Sequence, residues 1–241
     1  MNDLATMRQP TDTKLAAARS AAARAHRLHG GQSQAQTLAT VPALGELLPG
    51  GALRAGTAYS VESSTALAMA LMAGPSAAGA WCGVVGLPGF GAEAAAALGV
   101  NLDRLVLVPE PGTGWRSVVG ALIDALTVVV VAPPVEVSTA EASRLGARLR
   151  QRGGVLVVCG SWPQCEARLS VSDSSWVGLG AGHGHLSGRQ VTVLAQGRGT
   201  AVRPRRTRLW LPDARGEITF ADPVMVSETP STPGWIHEAT G

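Results

Sequence analysis

The sequence predicts an α/β protein in which a mostly parallel central sheet, covered by helices, is continued by an antiparallel C-terminal extension. Two observations carry this prediction. Up to residue 159, apolar runs without polar alternation, such as Val128–Val131, are separated by helical segments, which is typical of a parallel sheet buried on both faces. After residue 169 the pattern changes to short alternating strands joined by turns, which is typical of antiparallel pairing.

Each element follows from the local pattern of apolar and turn residues. The strands of the parallel part are predicted at Thr57–Val61, Trp81–Val85, Leu105–Val108, Val128–Val131 and Val155–Cys159. The helices between them are predicted at Ser64–Met72, Gly91–Leu98, Val118–Leu126 and Thr139–Arg152. The antiparallel strands are predicted at Ser174–Leu179, Gln190–Ala195, Thr207–Leu211 and Glu217–Phe220, with turns at His183-Gly184 and Asp213–Gly216.

Three regions are predicted along the chain. Residues 1–40 form a basic helix, capped by Thr11 or Asp12 and ending near Leu28, followed by the polar linker Gln32–Thr40. This helix has few large apolar side chains, so we expect an exposed arm that docks on another surface. Residues 41–222 form the α/β domain, and residues 223–241 form a loose acidic tail.

Composition excludes several classes of protein. With 46% hydrophobic and 15% charged residues, the 241-residue chain is neither disordered nor charge-rich. No apolar run approaches the roughly 18 residues of a membrane span, and the polar start has no signal-peptide pattern, which predicts a cytoplasmic protein and leaves nucleoid association open. Three cysteines are too few for a disulfide framework. Because Lys14 is the sole lysine, chemistry that needs a lysine inside the domain is excluded.

Four segments resemble the core of the RecA recombinase family. Pro49–Gly56 is similar to the segment that leads into the first core strand, and Tyr59–Leu67 takes the place of the phosphate loop. Leu98–Leu105 matches a Leu-Gly-Val run followed by Asp-x-Leu after the second strand. Val128–Val131 takes the place of the Walker B strand. The resemblance implies a RecA-like core over residues 41–222.

The departures from that family concern every group that phosphoryl transfer uses. Glu62, Ser63 and Ser64 match the phosphate loop, but Ser60 and Thr65 replace its glycines, Ala66 replaces its lysine and Leu67 replaces its Mg²⁺-binding hydroxyl. The Walker B strand ends in Ala132-Pro133-Pro134 without an acid, and Gly86-Leu87-Pro88 stands where the catalytic acid is expected. The sequence therefore predicts no catalytic residue, no metal and no cofactor.

A short, arginine-rich, catalytically empty chain of this kind is similar to the ImuA family, in particular to its actinobacterial ImuA-prime branch. That resemblance implies a non-catalytic accessory protein of the DNA-damage-inducible mutasome, part of the SOS response, which supports error-prone translesion synthesis. The implied partners are an ImuB-type adapter polymerase and an error-prone DnaE-type polymerase, with RecA and DNA as further partners left open. Two alternatives remain: an NTPase with a rewired site that uses Arg54 or Arg116, and a division inhibitor similar to SulA.

Two groups of arginines are candidate contacts to a partner or to nucleic acid. Arg19, Arg24 and Arg27 lie on the N-terminal helix, and Arg203, Arg205, Arg206 and Arg208 form the densest cationic cluster. Alternation predicts that Arg206 and Arg208 share one face of a strand. The alternative interpretation is a solvated edge whose charge prevents aggregation.

Further motifs favour a structural interpretation. Gly89–Ala94 with Glu110 resembles a dinucleotide-binding fingerprint, but the short helix that follows favours a tight turn. His183 and His185 lack the further ligands of a zinc site, and Ser161 lacks the partners of a hydrolase nucleophile. Trp162 stands before Pro163, where it either fills a gap in the core or stacks on a base, and packing is the favoured interpretation.

Overall fold

The computed structural model describes residues 37–180, 183–198 and 203–221. The strands are β1 (Thr37–Leu38), β2 (Leu53–Arg54), β3 (Thr57–Glu62), β4 (Cys82–Val85), β5 (Leu105–Val108), β6 (Val128–Val131), β7 (Val155–Cys159), β8 (Ala167–Gly180), β9 (His183–Gly197), β10 (Arg205–Trp210) and β11 (Thr219–Phe220). The helices are α1 (Pro42–Gly45), α2 (Thr65–Ala77), α3 (Ala92–Ala97), α4 (Trp115–Ile123) and α5 (Thr139–Arg152). The predicted α/β class is confirmed.

One mixed sheet holds nine strands in the order β11-β10-β9-β8-β3-β7-β6-β4-β5. Six neighbouring strands pair in parallel, in the order β8, β3, β7, β6, β4 and β5. Strands β9, β10 and β11 then pair antiparallel and extend the sheet beyond β8. Both halves of the prediction are confirmed, except that the start of β8 pairs in parallel with β3 and only its other edge is antiparallel.

Helices cover the parallel strands on both faces. Helices α2 and α3 pack on one face with Tyr59 and Val130 in the first core cluster. Helices α4 and α5 pack on the other face with Val129 and Leu156 in a second cluster. Every residue of Val128–Val131 is buried, which is the reason that this strand shows no polar alternation in the sequence.

The first described residues lie in the polar segment predicted as a linker. Thr37 and Leu38 form β1 and pair antiparallel with Arg54 and Leu53 of β2. Paired backbone therefore begins before residue 41. The basic helix expected at residues 12–28 and the acidic tail at 223–241 lie outside the described residues.

Strands β8, β9 and β10 are longer than predicted, whereas β11 is shorter than the predicted Glu217–Phe220. Strand β8 begins at Ala167 rather than at Ser174, and β9 begins at His183, so His183 and Gly184 belong to a strand and not to the expected turn. A register shift between Val171 and Asp173 marks a bulge in β8. Among the described helices none has the length and apolar character that crossing a bilayer requires.

Candidate functional site

The structure brings the candidate loop residues into one strand–loop–helix unit. Ser60 and Glu62 lie in β3, Ser63 and Ser64 connect it to α2, and the remaining candidates, Thr65, Ala66 and Leu67, form the first turn of α2. The unit lies at the carboxyl ends of the parallel strands, the edge at which α/β proteins usually bind ligands. Its side chains decide what this loop can bind.

Ser60 is fully buried and engaged within the protein. Its hydroxyl donates a 2.5 Å hydrogen bond to the carbonyl oxygen of Gly160 in the loop between β7 and β8. The backbone of the same glycine donates to the carbonyl of Val61 at 2.8 Å. Ser60 therefore ties the end of β3 to the loop between β7 and β8, and its hydroxyl donates to the protein rather than to a ligand.

The start of α2 is capped by the protein itself. Ser63 adopts a positive φ of 57°, an uncommon backbone conformation for a residue other than glycine. This turn places the hydroxyl of Ser64 where it accepts a 3.2 Å hydrogen bond from the N–H of Leu67. In a phosphate-binding loop, N–H groups at this helix end face the anion. Here the N–H of Leu67 instead donates to the hydroxyl of Ser64.

Neither the charge nor the metal ligand of a phosphate loop is present. Leu67 is fully buried in the first core cluster, and Ala66 packs against that cluster. Arg168 reaches this region from β8, but its Nε lies 3.3 Å from a carboxylate oxygen of Glu62. The loop therefore offers neither the cation nor the metal-binding hydroxyl that a phosphate-binding motif requires.

The loop that faces Ser60, residues 160–166, is held by packing. Trp162 is 2% exposed and belongs to the second core cluster, which confirms the packing interpretation of this side chain. Burial raises the pKa of the Cys159 thiol to about 11 and also raises the pKa of Cys165. These thiols are therefore protonated and poorly nucleophilic at neutral pH.

Arg54 and Arg116, which the NTPase alternative requires, lie away from the candidate loop. Arg54 precedes β3 and pairs with Glu166 at 3.5 Å, and the backbone of Glu166 bonds to Ala58 in the amino half of β3. Arg116 lies in the first turn of α4, forms an ion pair with Glu141 of α5 and lies 4.9 Å from the ring centroid of Trp115. The structure does not bring either guanidinium to Ser60–Leu67.

The dinucleotide-like segment is a tight connection between β4 and α3. Helix α3 has six residues and begins after Gly91 without a side-chain cap.

His185 lies in β9, and the described residues contain no cluster of three or more histidines, cysteines or carboxylates that would hold a metal ion.

The C-terminal arginines separate onto two faces of β10. Arg205 lies opposite the buried Ala195, and its Nη1 donates to the backbone oxygens of Glu46 at 3.1 Å and Leu48 at 2.7 Å. Arg206 and Arg208 alternate with it and lie on the opposite face, as predicted. Arg203 is exposed and precedes the strand, whereas Arg19, Arg24 and Arg27 fall outside the described residues.

Arg206, Arg208 and Arg168 form what we term the arginine face of the antiparallel extension. Arg168 lies opposite Gln196 and alternates with the buried Ala167 and Leu169, which places it on the same face as the other two. Arg206 pairs with Asp173 at 3.2 Å, with both side chains well exposed. Sequence reasoning missed Arg168, and the only signal for it was its alternation with apolar neighbours.

A groove of about 600 Å³ opens at the carboxyl ends of β4, β5 and β6. Its position follows from the connections: α3 leaves β4 on one face of the sheet, whereas α4 leads into β6 on the other. Neighbouring strands whose connections diverge leave a crevice between them. Sequence reasoning missed this groove, although the prolines within two residues of the ends of β5 and β6 were a signal for it. The residues that line it include Pro109, Pro111, Trp115, Arg116, Pro133 and Val135.

The part of the chain that matches a known protein family contains both the candidate loop and the groove. The family described as the MT3502 N-terminal domain matches residues 46–164, which contain both features and end before β8. The uncharacterized protein Rv3395c of Mycobacterium tuberculosis (strain ATCC 25618 / H37Rv) is 32% identical over 165 residues, which cover 64% of this chain and 81% of that protein. The chain therefore belongs to the family of Rv3395c.

Proposed function

We propose that this protein is a non-catalytic, RecA-like accessory protein of a DNA-damage-inducible mutasome, which supports error-prone translesion synthesis by binding an ImuB-type adapter polymerase. The proposal rests on the resemblance to the ImuA family and on one structural observation. A strand–loop–helix unit lies at the carboxyl ends of the parallel strands, and Leu67 fills the core at the position that the resemblance assigns to the metal-binding hydroxyl.

The side chains around Leu67 support a binding role rather than turnover. The loop presents no lysine, Ser64 caps the helix, and Ser60 is committed to Gly160. Phosphoryl transfer is catalysed by positioning and by electrostatic stabilisation of charged oxygens, so a site without the cation and the metal ligand loses both contributions. A protein that retains such a frame without its chemistry can still present surfaces to partners.

The arginine face supplies a surface of this kind. A solvent-facing sheet surface that carries Arg168, Arg206 and Arg208 suits the phosphates of DNA or an acidic segment of a partner. Its described counter-charges are Glu62 and Asp173, and both pairs are substantially exposed. Exposed pairs contribute about 0–1 kcal/mol, so these arginines can exchange a carboxylate for another anion.

Two measurements test the proposal. Calorimetric titration of the full chain with Mg·ATP should give no binding heat up to millimolar nucleotide, and phosphate release should equal that of buffer. Affinity purification of the tagged chain from cells exposed to DNA damage should recover the ImuB-type adapter, whereas undamaged cells should yield less. Saturable Mg·ATP binding with phosphate release would favour the rewired NTPase, and absence of the adapter would contradict the mutasome assignment.

A further inference from the structure

The groove at the carboxyl ends of β4, β5 and β6 has the size and position of a ligand site. Its volume of about 600 Å³ lies within the range of small-molecule sites. Gly86 forms part of the wall with a φ of 74°, and a methyl group there would lie 2.5 Å from the carbonyl oxygen of Ala132. A glycine at this point is therefore needed for the close approach of the two strand ends that bounds the groove.

The walls of the groove are mainly apolar and rigid. Four proline rings line it, from Pro109, Pro111, Pro133 and Pro134, together with the indole of Trp115 and the side chain of Val135. Prolines lose little conformational entropy when they contact a ligand, because their φ is already fixed. Flat apolar walls of this kind suit a planar ring.

An unpaired donor lies in the same wall. Trp115 is 1% exposed, and its Nε1 has no hydrogen-bond partner in the described part of the protein. A buried donor without an acceptor costs about 1–3 kcal/mol, and most buried indole N–H groups find a partner. An acceptor atom of a ligand that reaches Nε1 would remove this cost.

The positive charge of the groove is held in place by two contacts. Arg116 forms an ion pair from its Nε to Oε1 of Glu141, and its guanidinium lies 4.9 Å from the Trp115 ring centroid. The other oxygen of Glu141 already accepts hydrogen bonds from the N–H and hydroxyl of Ser138, at 3.0 and 2.9 Å. A guanidinium has five N–H donors, so Arg116 retains donors for a second anion.

We propose that this groove binds a small organic anion with a planar aromatic body and one carboxylate. The carboxylate accepts hydrogen bonds from Arg116 and satisfies the Trp115 indole, while the ring packs on the proline walls. A planar guanidinium that is already oriented is suited to a carboxylate, and the apolar walls provide most of the buried area. This site is separate from the candidate loop, since β7 lies between β3 and β6 in the sheet.

The probes for the test are naphthoate and its uncharged analogue naphthalenemethanol. The full chain has six tryptophans, and the indole N–H signal that disappears in Trp115→Phe identifies Trp115 in the nuclear magnetic resonance spectrum. Naphthoate should shift the Trp115 signal in a saturable manner and leave the other indole signals in place. Naphthalenemethanol should bind at least about tenfold more weakly, as expected for the loss of a charge-assisted hydrogen bond.

Matched variants separate the groove from general surface binding. Arg116→Gln should weaken naphthoate binding by at least about tenfold, whereas Arg144→Gln, an exposed arginine of α5 outside the groove, should bind as the wild type does. Val135 is 55% exposed, so Val135→Glu should fold normally and repel naphthoate, and Val135→Lys should strengthen binding. The proposal is overturned if naphthoate leaves the Trp115 signal unchanged, or if Arg116→Gln and Val135→Glu both bind naphthoate as tightly as the wild type does.

Discussion

The hydroxyl of Ser60 and the carbonyl of Gly160 are joined by a 2.5 Å hydrogen bond across 100 positions of the chain. Ser60 stands near the end of β3 and Gly160 follows the neighbouring strand β7, so the parallel pairing of these strands brings the two residues together. The bond ties the candidate loop to the loop that contains Trp162. Both segments are thereby fixed by the interior of the protein.

Ser60→Ala should destabilise the protein by about 1–2 kcal/mol, because the partly buried carbonyl of Gly160 loses its hydroxyl donor. Urea unfolding monitored by circular dichroism measures the change. Ser143→Ala is the matched control, because Ser143 is exposed on α5, and its effect should stay within about 0.5 kcal/mol. Equal stability of the two variants would show that the Ser60 bond does not stabilise the fold.

Leu67→Thr restores the hydroxyl of a phosphate loop and should still fail to create a nucleotide site. Leu67 is fully buried, so the substitution removes apolar volume and places a hydroxyl in the core, at a cost of about 2–5 kcal/mol. Leu107→Thr is the control, because Leu107 is 42% exposed in β5 and should lose far less stability. Thermal unfolding with and without Mg·ATP provides the measurement, and a nucleotide-dependent rise in melting temperature would contradict the expectation.

The parallel half of the fold could be predicted because its signals are local. Val128–Val131 is apolar throughout and proved buried on both sides, and the predicted α5 at Thr139–Arg152 is confirmed from its capping box to its left-handed Gly153. Helix α4 begins at Trp115, three residues before the predicted start, because the turn Gly112–Gly114 leads directly into it. The helix propensities of the individual residues do not predict that this turn continues into the helix.

The longer strands and the groove depend on contacts that the sequence does not display. The start of β8 at Ala167 pairs in parallel with Tyr59 of β3, which lies far away in the chain, so this extension beyond the predicted Ser174–Leu179 could not be recognised from the local pattern alone. The groove requires the ends of β4, β5 and β6 together with Trp115 of α4, and these segments span 50 positions. Only the strand order, with α3 and α4 on opposite faces, brings them to one place.

Glu141→Gln should remove a pH-dependent contribution to stability at the start of α5. The backbone N–H of Ser138, then its hydroxyl, and then Arg116 lower the pKa of Glu141 from its usual 4.5. A carboxylate with a lowered pKa in the folded protein stabilises the fold above the unfolded-state value, and this contribution disappears as the pH falls through the folded pKa. The stability advantage of the wild type over Glu141→Gln should therefore be constant at neutral pH and shrink below pH 4.5. Urea unfolding at a series of pH values checks this, and an advantage that grows on acidification would contradict it.

Replacing both Arg206 and Arg208 with glutamine should weaken binding to single-stranded DNA and reduce its dependence on salt. Both side chains lie on the outer face of β10, Arg206 is tied only to the exposed Asp173, and Arg208 forms no ion pair with a described residue. Each arginine that neutralises a phosphate of single-stranded DNA contributes about 0.7 to the slope of log affinity against log salt, so the double variant should lower the slope by about 1.4.

The matched control for this arginine face is the double variant Arg144→Gln and Arg150→Gln on α5, which removes the same charge from another exposed surface. Fluorescence anisotropy over a range of salt concentrations measures both variants. The control should keep the wild-type slope, because charges outside the contact surface release no counterions from the bound strand. Equal slopes in the two double variants would mean that Arg206 and Arg208 do not contact phosphate, and the described partner of Arg206 would remain Asp173.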